Sequence, residues 1–195
     1  LNMVDERDLF SLMDEDEAEF CYSMWNQLGE TARMGVLMNL YENVWRKRID
    51  AARFVTWAAE ALYSEKNSLI FGSMLGYAAD AFRFSGGNLP ILEQTLRLIA
   101  SEQKRPHEIR LQAFRALYSM STDPQTCDWL YRIWEQQSPP RSLSLGESDY
   151  TSLSYQLMLR FPSRAGQIRE TQRSRVSNPD RLAPVVFVVK AASPV

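Results

Sequence analysis

The sequence predicts an all-α protein made of antiparallel helix hairpins stacked as a HEAT-like superhelical array, with a compact helical bundle as the alternative. Three observations predict it. Apolar residues recur at i, i+3 and i+4 along most of the chain, the spacing of one helix face. Breakers and caps interrupt that pattern at Asp50, "SGGN" (85–88), Pro106, "STDP" (121–124) and Pro162. The first helix of each pair starts near residues 15, 51, 88, 124 and 164, a step of roughly 36 to 40 residues that falls in the range of two-helix repeats. No repeat consensus recurs, so the array rests on spacing.

Each element has its own justification. Residues 16–28 put Ala18, Cys21, Tyr22, Trp25 and Leu28 on one face. Residues 31–48 do so with Met34, Leu37, Met38, Tyr41, Val44 and Trp45, and their basic end (Arg46, Lys47, Arg48) suits the negative pole of the helix dipole. Asp50 caps a helix to about Tyr63 with Phe54, Ala58, Ala61 and Leu62 inward. Glu65 to Phe84 reads as the longest apolar helix, broad enough in its apolar face to lie between neighbours. The glycines of "SGGN" end it, and Asn88 with Pro90 starts the next.

Residues 107–120 follow with Ile109, Ala113, Phe114, Ala116, Leu117 and Met120. Asp123 and Pro124 open a helix carrying Cys127, Leu130, Tyr131 and Trp134, and 136–148 is the long loop. Helices over 149–160 and 164–174 complete the array. Trp25, Leu37, Tyr41, Met74, Phe114, Leu117, Leu130 and Trp134 are the expected core.

Composition narrows the function classes. Hydrophobic residues make up 45% and charged residues 24%, with a formal net charge of −2, so a sizeable core is available. No Lys/Arg stripe with interleaved aromatics precedes the tail, which makes nucleic acid a poor partner. No uninterrupted apolar run reaches the length of a membrane span. The two cysteines, Cys21 and Cys127, sit in apolar helical patterns and read as small buried hydrophobes.

Catalytic apparatus is not visible. The one histidine, His107, cannot supply a catalytic zinc site, which needs about three protein ligands. It also has no G-x-S-x-G partner for a Ser-His-Asp arrangement. "GSMLG" at 72–76 has close-packing spacing, "DEDEAE" at 14–19 fits the first turn of a helix, and Glu102 with Arg105 reads as helix-surface charge. No residue is assigned as catalytic, cofactor-binding or metal-binding. The chain is expected to cleave no aminoacyl substrate and to hold no stoichiometric zinc.

The end of the chain breaks the helical pattern. Pro179 and Pro184 favour extended backbone, and "VVFVV" at 185–189 is β-branched without polar alternation. Residues 175–195 are therefore expected to form an extended or partly ordered tail beyond a helical array over 1–174. The segment reads as part of a longer protein, with "LNMVDERD" at its upstream joint.

Three stretches carry a resemblance: "RMGVLMNLYENVW" at 33–45, "SDYTSLSYQLMLRFP" at 148–162 and "ETQRSRVSNPDRLAPVVFVVKAASP" at 170–194. In order and spacing they resemble the helical C-terminal region of aminopeptidase N-type zinc metallopeptidases. In that family a thermolysin-like domain carries H-E-x-x-H and a downstream Glu ligand, and HEAT-like hairpins cap the active-site cavity. The resemblance implies a non-catalytic cap whose partner is its own catalytic domain, with zinc held there and peptide substrate met only indirectly. None of the family's zinc ligands has a counterpart here. A free-standing helical-repeat module that binds another protein is the competing expectation, and an independent hydrolase has no motif behind it.

Overall fold

In a computed structural model of the 195-residue chain, residues 11–87 and 89–176 are described. They are all-helical: nine α-helices and no strand occur among the described residues. The helices are α1 (Glu15–Met24), α2 (Glu30–Trp45), α3 (Ala51–Ser64), α4 (Ser68–Phe84), α5 (Pro90–Ser101), α6 (His107–Met120), α7 (Pro124–Gln136), α8 (Glu147–Arg160) and α9 (Ala165–Arg175). Their starts fall close to the positions that the spacing predicts. The tail with "VVFVV", and the Asn88 cap, lie outside the described residues. The chain divides into two compact units, one up to Leu96 and one from Arg97, the division falling within α5.

In the first unit, α3 packs along α4, and α4 also packs on α2. Leu37, Leu40, Phe54, Val55, Ala58, Leu62, Phe71 and Met74 are fully or almost fully buried between them. Trp57 gathers an aromatic cluster. Tyr22 stacks on it at 4.6 Å, Trp25 meets it edge-on at 5.2 Å and Phe54 is tilted at 5.6 Å. The N-terminus of α1 is closed by a reciprocal cap. Asp14 accepts from the Glu17 amide, and the Glu17 side chain accepts from the Asp14 amide.

In the second unit, α8 packs on α9, on α7 and on α6. Phe114, Leu117, Leu130, Trp134, Leu153, Leu157, Met158 and Ile168 form its core. In each unit an even-numbered helix meets the next even-numbered helix, α2 on α4 and α6 on α8. Stacked hairpins produce that alternation.

Three local differences from the sequence reading have physical causes. The inward stripe of α2 is Leu37, Leu40 and Val44, whereas Met38 is 42% and Trp45 60% exposed. The helix is rolled because Asn43, a polar residue, points inward as a hydrogen-bond hub. Its Nδ2 donates to the Ser11 and Asn39 carbonyls, and its Oδ1 accepts from the Met13 amide. Tyr41, an expected core residue, is consequently half-buried, and its hydroxyl donates to Asp80.

The second difference is that α4 starts at Ser68 rather than Glu65. Glu65 is buried, and its Oε1 accepts from the Lys66 and Asn67 amides, so it forms the turn. Asn67 then caps α4 through the Leu69 and Ile70 amides. The third difference is at Gly76, where an added Cβ would meet nothing within 4 Å, so close helix packing is not its role.

Other predicted features stand as read. Asp50 caps α3 through the Arg53 amide at 2.8 Å, and Asp123 caps α7 through the Thr126 amide at 2.7 Å. The Thr126 amide and hydroxyl hold the Asp123 carboxyl below its ordinary range. A carboxyl lowered in the folded chain stabilises it above the unfolded pKa, and that contribution is lost as pH falls through the folded value. Asp123→Ala is thus expected to cost about 1 kcal/mol near neutral pH. Denaturant melts at pH 7 and in the acid range below about pH 4 should show that cost shrinking.

Candidate functional site

A groove of about 700 Å³ opens in the first unit, lined by Glu15, Val44, Trp45, Lys47, Arg48, Ile49, Asp50, Ala51 and Phe84. That volume falls within the range of small-molecule clefts, about 300–1,000 Å³. Two helix ends build it. α2 terminates at Trp45 and α4 at Phe84, and these last helical residues meet edge-on at 5.2 Å. Both remain more than half exposed. An exposed aromatic pair at the mouth of a cleft is the part of this surface most costly to leave in water.

Both helices stop by the same backbone device. At the end of α2 the Arg48 amide returns to the Asn43 carbonyl and the Lys47 amide to the Val44 carbonyl, each at 2.9 Å. At the end of α4 the Gly87 amide returns to the Phe82 carbonyl and the Gly86 amide to the Arg83 carbonyl. The motif needs a left-handed residue just past the helix, where glycine is usual. Gly86 supplies it after α4 with φ 91°, but after α2 the residue is Lys47, with φ 59°.

The charges around the groove are unequally committed. Glu15 accepts from the Asp50 amide at 2.8 Å, and Asp50 in turn caps α3, so each carboxylate is engaged at a helix start. Arg46 pairs with Glu42 at 2.7 Å and Arg83 with Asp80 at 2.5 Å. Among the described residues, no carboxylate pairs with Lys47 or Arg48; Arg48 donates through Nε to the Met13 carbonyl at 3.2 Å. The groove thus combines an aromatic wall with two cations and two carboxylates, and among the described residues the cations make no ion pair.

No site residue is legible in the sequence, where Trp45 falls on the apolar face of its helix. The groove's one legible signal was the basic run after α2, read as a dipole complement. A Lys at a position where backbone geometry favours Gly becomes informative only once the helix end is seen.

The other chemistry-bearing residues lie apart from the groove's donors. His107 is exposed at the start of α6, with Nε2 3.3 Å from the Ser144 carbonyl oxygen. Neither Cys21 nor Cys127 is in a disulfide. Burial, then the nearby Glu17, pushes the Cys21 thiol above its ordinary range, which disfavours the reactive thiolate. Cys127 is buried and its Sγ lies 3.8 Å from the Ser121 carbonyl oxygen. The acidic stretch serves helix starts and an exposed ion pair, Glu19 receiving both Arg53 donors at 2.6 Å. Glu102 pairs with Arg105 at 2.6 Å.

Among the described residues, no group of three or more His, Cys, Asp or Glu side chains could hold a metal ion, and no helix is long and apolar enough to cross a membrane. Compared with protein-family models, curated proteins and solved structures, the chain matches none.

Proposed function

We propose that the chain is a non-catalytic helical cap of a zinc aminopeptidase, covering the peptide-binding cavity of its own catalytic domain. The supporting observation is where the three resembling stretches put their polar residues. Asn43 of "LYEN" is 1% exposed and ties segment 11–13 to α2. Asp149 of "SDY" is 5% exposed; it accepts from the Gly146 amide at 3.0 Å and from Arg115 at 2.7 Å. Gln172 of "ETQ" is 1% exposed, accepts from the Trp134 indole at 2.8 Å and donates to Thr151, in the Asp149 stretch, at 3.1 Å. Buried polar residues with this many partners are expensive to misplace. The three stretches thus contain residues that organise this chain's own fold.

The test uses the complete reading frame that contains this segment. Expressed whole, the polypeptide is expected to bind one zinc and to release amino-terminal residues from chromogenic aminoacyl substrates. Deleting the segment should change the relative rates on short and long peptides. A frame that opens next to Leu1, or that lacks an upstream H-E-x-x-H with a downstream Glu, overturns the reading. The exposed aromatic groove favours a second reading, a helical-repeat module that binds another protein.

A further inference from the structure

We infer that the groove between the ends of α2 and α4 binds a segment of a partner polypeptide in which a carboxylate side chain lies beside a large apolar one. The inference stands on the groove alone and does not depend on the family reading. Four features carry it. Trp45 and Phe84 offer an exposed, edge-to-face aromatic wall. Lys47 and Arg48 add two cations that form no direct ion pair with a carboxylate among the described residues, although Arg48 donates to the Met13 carbonyl. Glu15 and Asp50, the two lining acids, are already engaged by backbone N–H groups. The cleft's volume of about 700 Å³ accepts a few side chains rather than a whole helix face.

Lys47 is the most telling of these residues. Two neighbouring helices end in the same hydrogen-bonded motif, and only one has glycine in the left-handed position. A lysine there holds an unfavourable backbone conformation that a glycine would relieve. Its side chain makes no compensating hydrogen bond or ion pair among the described residues. Backbone strain of this kind clusters at functional sites, although Gln137 and Arg141 share the positive φ elsewhere in the chain. The complementary ligand places its carboxylate on Lys47 and Arg48 and its apolar side chain against Trp45 and Phe84. A lysine contributes a point charge and the aromatic pair contributes buried area, so both halves of the ligand are required.

The experiment titrates a blocked peptide, acetyl-Ala-Asp-Phe-Asp-Leu-Ala-amide, into isotope-labelled protein and follows amide and indole resonances. Saturable shifts at the Trp45 indole and at the Lys47 and Arg48 amides are expected, weakening with added salt. Replacing both Asp residues of the peptide by Asn, or its Phe and Leu by Ala, should each weaken binding about tenfold or more. Lys47→Gly separates binding from folding. It is expected to raise the melting temperature by about 2–4 °C and to weaken the acidic peptide about tenfold. Trp45→Ala, at an exposed site, should keep the fold and lose the interaction.

Shifts absent at millimolar peptide, or confined to other surfaces, overturn the inference. Equal binding of the Asn peptide overturns it too, as does inorganic phosphate competing as well as the full peptide, which would make the groove a simple anion site. Unchanged peptide affinity in Lys47→Gly would do the same.

Discussion

Trp134→Ala is expected to destabilise the unit from Arg97 onward by roughly 3–5 kcal/mol, the range for deleting a buried large aromatic side chain. The indole is 1% exposed, with Tyr131 tilted against it at 5.7 Å and the Arg175 guanidinium 5.0 Å over its ring. Its Nε1 donates to Gln172 at 2.8 Å, so truncation opens a cavity and also strands a buried amide oxygen. Stranding such a group alone costs about 1–3 kcal/mol.

Trp134→Phe separates the two contributions, because it keeps most of the apolar volume while removing the donor. Its cost should fall below that of Trp134→Ala, and Trp134→Phe with Gln172→Leu should recover part of it. Urea melts followed by circular dichroism provide the measurement. A Trp134→Ala midpoint equal to that of the parent chain would mean that the α7 face does not pack as described. Because α9 meets this side chain through Gln172 and Arg175, hydrogen exchange in α9 should accelerate before exchange in α6 does.

Much of this unit was legible in the sequence, and for a simple reason. Leu130, Tyr131 and Trp134 repeat at helical spacing behind an Asp-Pro start, so pattern, cap and burial agree. The first unit was less legible where a polar residue points inward. In α2 the stripe from Met34 to Trp45 was a consistent apolar face, yet the buried one runs through Leu40 and Asn43. Hydrophobic periodicity cannot assign an inward Asn, because its reason lies in segment 11–13, distant in sequence and dependent on it for hydrogen bonds. Glu65 shows the same limit: an acid read as part of a helix's first turn is instead buried, with Oε1 on the turn's amides and Oε2 3.4 Å from Arg33. The groove was illegible for a different reason. It is made by two helix ends that the chain brings together across about 40 residues, and by a backbone sign at Lys47 that no residue pattern reveals.

Arg110→Met is the second large effect expected. The Arg110 side chain lies in α6 next to Ile109 in sequence and is only 4% exposed. Its partners are backbone carbonyls. Nε donates to Ala100 near the end of α5 at 3.1 Å, and Nη2 donates to Pro140 at 2.9 Å and to Arg141 at 3.1 Å. Ala100 is in the last turn of its helix, where carbonyls have no intrahelical partner. Arg141 has φ 43°, a strained left-handed conformation that the rest of the loop must hold in place.

One planar donor fork thus fastens the long loop after α7 to the end of α5. Hydrogen bonds to charged groups contribute about 1.5–3 kcal/mol each, and the relief of guanidinium desolvation offsets part of their loss. The net cost of Arg110→Met should be about 2–4 kcal/mol, although methionine keeps the apolar stem. Arg110→Lys should fall in between, because a single ammonium cannot span the two chain segments as the fork does. Limited proteolysis is the sharper readout. Leu143, 1% exposed and held by its amide to the Pro140 carbonyl at 3.0 Å, should become accessible, and cleavage within 137–146 should quicken severalfold in Arg110→Met. A variant that melts like the parent and resists cleavage there would show that the loop holds its conformation without Arg110, through Leu143 burial alone.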